Sequence, residues 1–424
     1  MRDKLAMVAA LLATFAGVGL LAAIPKMHVP PPPVTKPPVE KTLVCPGGLG
    51  ETTAWGGADG GFSSAQLGGD ITQSQPLKGS KLTTPLVLTG ENDLVAGVQV
   101  RKGSASGWSD CLAPRTSGVL QVINPAATEL LLINPDEVQA IADVTLWGEK
   151  GLIQTPGSRG IVLAPHTQRV VPISVLAGVA TPVGIGVTTS AGRVAMVASS
   201  WTATSGDLAE PAAPALTQVL PGVAEGASAV QIVVTNPGTQ RASVNVTAHG
   251  PTATYSPEGG QKLQVEPGST RLIDLTSALQ GERATLLADS DQPIVASVIA
   301  TRGADHANAT DVAPSRQLAA VVPAAGVLQV TNLADVDQTI TVEAKSSGGG
   351  SVAPTRQDVR AGATWQLKLP TTDKESLRVT VTADKPVVAA VTTSAATGTT
   401  IAPLRAVGTD DEGGGEIRVD PELR

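Results

Sequence analysis

Three strand-like runs in this chain end on asparagine: "LLLIN" closes on Asn134, "QIVVTN" on Asn236 and "VLQVTN" on Asn332. Aligned on those residues, the chain overlays itself at offsets of 102 and 96 positions. Fourteen residues beyond each Asn, "ADVTLWG", "VNVTAHG" and "ITVEAKS" come to an end. All three alternate apolar and polar positions, as a half-buried strand does. Pro165 and Pro267 then open "PHTQRVVPI" and "PGSTRLIDL", with "AGATWQLKL" in the corresponding place from Ala361. "RVAMVASSW", "PIVASVIAT" and "PVVAAVTTS" finish the series, the last two preceded by Asp291 and Asp384 two residues before Pro293 and Pro386. A proline is tolerated at the first residue of a strand because no ladder donor is needed there. Four marks recurring in one order define a repeat of roughly 100 residues made of short strands and turns. That pattern predicts an all-β chain of tandem immunoglobulin-like β-sandwich modules. A helical solenoid would need apolar residues at a period of 3.6, and none is sustained after residue 24. A propeller would repeat every ~40–50 residues. Asn tolerates left-handed backbone and caps turns through its side chain, so its recurrence reads as punctuation of a fold rather than a ligand motif used three times.

Composition agrees. Hydrophobic residues make up 42% of the 424 positions but aromatics only 2%, and there are 45 Gly and 32 Pro. Small β-branched residues with many turn formers suit short strands. The formal charge is −7, with Lys and Arg scattered, which excludes the basic face that nucleic acid or anionic lipid requires.

The N-terminus points to a compartment. "MRDK" precedes "LAMVAALLATFAGVGLLAAI", residues 5–24, which carry no charge. As a helix this run would span about 30 Å, the hydrocarbon thickness of a bilayer. It is longer than a cleaved signal's apolar region, and Leu21 stands where a cleavage site wants a small residue. Residues 1–24 are therefore expected to be an uncleaved signal anchor, a single transmembrane helix. Residues 25–42, with seven prolines by position 41, are expected to form a polyproline II spacer of up to about 50 Å. The expected location is the cell membrane, single-pass, with the bulk of the chain outside the cytoplasm. There the two cysteines, Cys45 and Cys111, read as a disulfide closing 66 residues, worth about 4 kcal/mol in the chain-entropy treatment.

The expected organisation continues with a divergent N-terminal β-module at 43–128, in which "GGLGETTAWGGADGGFSSAQLGGD" reads as loop and "KLTTPLVLTGENDLVAGVQVRKG" as a hairpin. This module either stands alone or supplies edge strands to its neighbour. Repeat 1 covers 129–220, repeat 2 covers 221–320 and repeat 3 covers 321–406. An acidic, disordered tail is expected at 407–424. Such modules in series behind a spacer make a stalk.

Residues that could carry chemistry are few. His28 belongs to the spacer, and His166 and His249 read as surface turn residues of different repeats. Ser63 in "GFSSA" half resembles a nucleophile elbow but lacks the final Gly. The glycines of "CPGGLGETT" and "GIGVTT" come without a Walker Lys, and the acidic clusters lack calcium-loop spacing. Asn245 and Asn308 fit the glycosylation sequon. No cofactor and no metal is called for. Of the five tryptophans, Trp147 and Trp365 read as core, while Trp55 and Trp108, in Gly/Ser-rich surroundings, are the candidate binding surface.

"CPGG" at Cys45–Gly48, the second Cys in "SDCLAP" at 109–114, the "INP" and "TNP" strands and the "PG" and "RVA"-like segments resemble the actinobacterial secreted proteins of domain-of-unknown-function family 5719. The resemblance covers most of 43–405, although the chain reads "RTSGVLQV" where a Trp-Phe pair would follow the second Cys. It implies a cell-envelope location in a high-GC Gram-positive bacterium and supplies no activity. The expected function is thus a non-catalytic, exported, membrane-anchored scaffold or protein-interaction protein, with an envelope protein as partner. A cell-wall glycan-binding protein is the alternative, and a hydrolase built around Ser63 in 43–128 a third reading.

Overall fold

The protein is seen in a computed structural model that describes residues 40–408, apart from positions 59, 75, 179–180, 324, 347–350, 372–375 and 396–397. The expected anchor at 1–24, the spacer up to residue 39 and the tail from 409 lie outside the described residues. Among the described residues no helix is long and apolar enough to cross a membrane.

The N-terminal module sets the pattern. Its strands are β1 (Lys41–Cys45), β2 (Glu51–Gly57), β3 (Phe62–Gln66), β4 (Thr72–Ser74), β5 (Leu77–Leu82), β6 (Leu86–Gly90), β7 (Val95–Lys102) and β8 (Ala105–Asp110). They form two antiparallel sheets, ordered β1-β6-β3-β4 and β5-β2-β7-β8. Two expectations are corrected here. The Gly-rich stretch expected to be loop contains β2 and β3, because its small residues lie against neighbouring strands. The expected hairpin does not form: β6 and β7 flank "ENDL" but belong to different sheets, so the chain crosses the sandwich rather than turning back on itself.

Each repeat uses the same two orders. In repeat 1, Ser117–Val122 pairs with Val183–Ala191 as β1 does with β6, and Gly206–Ala209 takes the place of β8. Residues 41–110 are therefore a fourth sandwich, while the end of the 43–128 segment does supply repeat 1 with an edge strand. Ser117–Val122 itself, placed by the sequence in the N-terminal module, pairs within repeat 1. Likewise Ala215–Val223 and Ser315–Pro323, which straddle the expected limits at 220/221 and 320/321, pair within repeats 2 and 3. In repeats 2 and 3 a single long strand, Ala284–Arg302 or Ser376–Ala395, serves both sheets. Pro293 and Pro386 sit where that strand leaves one sheet for the other, the point at which its ladder donor is dispensable. This crossover puts the first strand beside the sixth and the seventh beside the second, which differs from the usual immunoglobulin order.

The repeated asparagines are fully buried. Asn134 Nδ2 donates to Val138 O (2.8 Å) and Ala164 O (3.0 Å), while its Oδ1 accepts from the Asp136 N–H at 3.1 Å. Asn236 repeats this with Gln240 O (2.7 Å), Val265 O (3.1 Å) and the Gly238 N–H (3.0 Å). Asn332 does so with Val336 O, Val359 O and the Ala334 N–H. Their backbones are not left-handed, so side-chain capping alone accounts for the choice. One amide ties a strand end, its turn and a neighbouring strand together. Replacing Asn236 with Ala should cost about 3 kcal/mol in urea unfolding, at roughly 1 kcal/mol for each of its three bonds. A loss below about 1 kcal/mol would contradict the capping role.

The modules do not form a stalk. Their last strands, β8, Gly206–Ala209, Asp305–Thr310 and Gly398–Pro403, pack against one another in cyclic order, and the fourth closes on the first. The sandwiches share apolar interiors across their joints. In "LLLIN", Leu130 and Leu132 face the core of repeat 1, while Leu131 and Ile133 enter the core of the N-terminal module. That explains an uninterrupted apolar run in an antiparallel sheet, where alternation is the rule. Gln121, fully buried, donates from repeat 1 to Val233 O and Val295 O of repeat 2. Gln329 of repeat 3 reaches Val223 O. Arg378 of repeat 3 donates to Gly57 O (2.8 Å) and Asp93 O (3.0 Å) of the N-terminal module. The result is a closed ring of four sandwiches.

Candidate functional site

Both ends of the ring axis are polar. At one end, Asp305 opens the last strand of repeat 2 and is 4% exposed. Its Oδ2 accepts from the N–H groups of Ser106 (3.1 Å) and Thr399 (2.9 Å), and its Oδ1 from that of Gly206 (3.0 Å). One carboxylate thus reaches a backbone donor in each of the other three modules. Gly398, at φ 110°, allows the approach, since a Cβ there would lie 2.4 Å from Asp305 Oδ2.

At the other end each module contributes a charge at or just past its last strand: Asp110, Glu210, Asp311 and Arg405. Arg405 Nε donates to Asp110 Oδ2, and Nη2 to Glu210 Oε2 at 2.6 Å. Asp110 also accepts from Trp108 Nε1 (3.0 Å), and Glu210 from the Asp110 N–H (2.6 Å). Burial works against the Arg405 charge, but its two carboxylates raise its proton affinity above the ordinary value. Burial, reinforced by Asp110, pushes the Glu210 carboxyl up to about 7 despite the guanidinium beside it. Around this triad lies a cavity of about 350 Å³, lined also by Lys41, Arg115, Leu94, Ala212, Ala320 and Val321. It continues outward into a cleft of about 390 Å³ where Glu40 and Gly408, the two ends of the described chain, meet.

A second, outer cleft of about 600 Å³ holds Ser63, Asp136, Glu137, His166 and Arg193. His166 adopts φ 51°, where repeats 2 and 3 have Gly268 at 63° and Gly362 at 69°. A side chain in that region costs about 1 kcal/mol or more. Its Nε2 pairs with Glu137 at 3.0 Å. Serine, histidine and carboxylate share the cleft, but the Ser63 hydroxyl donates to Thr89 O at 3.4 Å rather than to the histidine.

The cysteines form the expected disulfide, Cys45–Cys111, which joins the end of β1 to the residue after β8. The expected Trp55–Trp108 surface is corrected: these residues are 8% and 3% exposed and stack at 6.0 Å between ring centroids. They lie in one core with Val321, Val379 and Val391 of repeat 3. Trp108 rests on Gly97, where a Cβ would come within 2.2 Å of its ring. His249 is also not a surface residue: it is 7% exposed, and its Nδ1 meets Gly362 O of repeat 3 at 3.0 Å. His306 meets the Ser205 hydroxyl of repeat 1. Asn245 accepts from the Lys262 N–H at 2.9 Å, and Asn308 lies within the last strand of repeat 2.

Sequence reasoning missed both axial clusters. A signal for the charged end was present: "SDCLAP", "AEPAAP", "TDVAPS" and "PLRAVG" bring an acidic residue in three copies and a basic one in the fourth, at roughly the repeat spacing. For Asp305 there is none, because its counterparts contribute only backbone.

Residues 94–370 match a family of unknown function, DUF5719. The chain belongs to that family. The DUF5719 match begins just before β7 and runs through all three Asn-anchored strands. No curated protein matches the sequence. One solved structure, the native conformation of E. coli alpha-2-macroglobulin by cryo-electron microscopy, is 12% identical over 86% of this chain and 28% of that one. Its TM-score of 0.15 is too low to carry any argument.

The acids of the axis make stability depend on pH. Asp207, fully desolvated near Asp305, is held well above the usual carboxylate range by burial, and Glu210 is raised in the same sense. The folded state therefore binds protons that the unfolded chain would release. Their stabilising contribution is complete below the unfolded values and is lost as pH rises through the folded ones, for Glu210 between about 4.5 and 7. Melting temperature should fall across that window, and Asp207→Asn, which cannot ionise, should make the fall shallower. Thermal melts at pH 5 and pH 8 check this, and equal slopes in the two proteins would refute it.

Proposed function

We propose that this DUF5719 protein is a non-catalytic interaction scaffold of an actinobacterial cell envelope, tethered through residues 5–24 with its ring outside the cytoplasm. The observation that carries the reading is the closed ring. Four sandwiches that share cores at their joints make a rigid frame with a charged recess at one end of its axis, an arrangement suited to presenting a fixed surface to a partner. The Cys45–Cys111 disulfide supports an oxidising compartment. The uncharged run at 5–24 supports the tether. Burial of Trp55 and Trp108 removes the platform on which the glycan alternative rested.

Affinity purification of the full chain from crosslinked envelopes, with digested cell-wall glycans profiled beside co-purifying proteins, tests the reading. A specific protein partner without glycan enrichment is the expected result. Glycan enrichment without a protein partner would overturn it.

A further inference from the structure

Two cations in the axial cavity lack an acid of their own. Lys41 Nζ donates to Leu94 O at 3.0 Å and Arg115 Nη1 to Pro211 O at 3.2 Å, both neutral carbonyls. The acids nearby are occupied. Asp110 and Glu210 hold Arg405, and Asp311 accepts the Val219 N–H at 2.7 Å. Among the described residues, neither Lys41 nor Arg115 forms an ion pair. Burial lowers the proton affinity of both. Asp110 attracts Lys41 and Glu210 attracts Arg115, but both carboxylates are shared with Arg405. The two desolvated cations are thus only partly balanced, and a further anion between them would relieve that.

The route into that cavity runs along an open strand edge. Val44 exchanges both backbone hydrogen bonds with Leu112, at 2.9 and 2.8 Å. By the alternation of an antiparallel ladder, Thr42 directs its N–H and C=O to the same side. Ala113 and Pro114 line the same cleft as Thr42, and Pro114 has no N–H to extend the pairing. Lys41 and Ala113 line both the cavity and the adjoining cleft, and Thr42 and Arg193 line both that cleft and the outer one. A continuous groove of mixed polar and apolar lining thus follows β1 and ends at these two cations.

We propose that an extended peptide docks along β1, pairing with Thr42, and that its free C-terminal carboxylate is received by Lys41 and Arg115. This rests on the interaction reading above and names the partner's chemistry: a chain end in strand conformation with a small apolar last residue against Leu94, Ala212, Ala320 and Val321. Strand addition supplies affinity through the main chain, and the buried cations select a terminus. A lone carboxylate would use the cations but not the edge.

The test uses the full chain and a fluorescein-labelled hexapeptide, Ala-Val-Thr-Val-Ala-Ala, as the free acid and as the C-terminal amide, read by fluorescence anisotropy. The free acid should bind at least tenfold more tightly than the amide. Arg115→Gln and Lys41→Gln should each weaken the acid about tenfold, and Thr42→Pro, which removes the edge donor, should abolish binding without lowering the melting temperature. Acetate competing as well as the free peptide, with Thr42→Pro neutral, would make this a small-anion site and overturn the peptide. Equal binding of acid and amide, or no binding of either, would also overturn it. A protein partner still captured from envelopes would then leave the scaffold reading standing.

Discussion

Replacing Asp305 with Ala should lower the unfolding free energy by about 5 kcal/mol, the largest single-residue effect expected in this protein. Three backbone N–H groups, from Ser106, Gly206 and Thr399, lose their shared acceptor at once, each in a buried setting. Hydrogen bonds to a charged group contribute roughly 1.5–3 kcal/mol apiece, and a donor left buried without an acceptor carries its full desolvation cost. Because the three donors belong to three different modules, the damage is to the ring rather than to one sandwich. Asp305→Asn should recover part of the loss, since one carboxamide oxygen still accepts. Urea denaturation followed by tryptophan fluorescence suits the measurement, because Trp55 and Trp108 lie at the joint that closes the ring. A loss below about 1 kcal/mol would mean that apolar packing alone holds the four modules together.

Removing the disulfide by changing Cys45 and Cys111 to Ala should cost about 4 kcal/mol, the loop-closure entropy of the 66 residues it spans. Its position adds a local consequence. The N-terminal module links its first strand covalently to the segment after its last, beside the hydrogen-bonded contact Val44–Leu112. The counterparts of that contact in repeats 1 and 2, Val119–Ala212 and Val219–Val312, have no such bond next to them. Cys111 also lines the axial cavity. The Ala pair should therefore weaken peptide capture as well as stability, because β1 is freer to leave Leu112. Parallel urea titrations of wild type, reduced wild type and the double variant give the number. Midpoints that coincide in all three would show that the bond contributes nothing to the fold.

How much of this could be read from the residues differs by level. Strand periodicity and the three asparagines identified repeats 1 to 3 because each is a local signal: alternation over a few residues, a cap at a strand end. The N-terminal module was legible only as a disulfide and some glycines. It shares the topology of the others but lacks an Asn cap, and it uses Gly97 as the seat of a ring where its relatives use larger side chains. Module limits came out late when counted from the Asn-ended strands, although Pro114, Pro214 and Pro314 stand just before "SGVLQV", "ALTQVLPGV" and "SRQLAAVVP". Closure of the ring was not legible. It depends on contacts between residues separated by nearly the whole described chain, such as Arg378 with Gly57 and Arg405 with Asp110, and no short-range pattern encodes them.

Because Glu40 and Gly408 line the same cleft, a pull applied between the two ends of the described chain does not load the sandwiches one after another, as it would in a linear array. It bears first on the joint where repeat 3 meets the N-terminal module, held by Arg378, Arg405 and the Trp55–Trp108 core. Extension has to break that seam before any single module can be drawn out. Mechanically the protein is a clasp, with one threshold set at the seam, and the spring-like lengthening of tandem domains in series is unavailable to it while the seam holds.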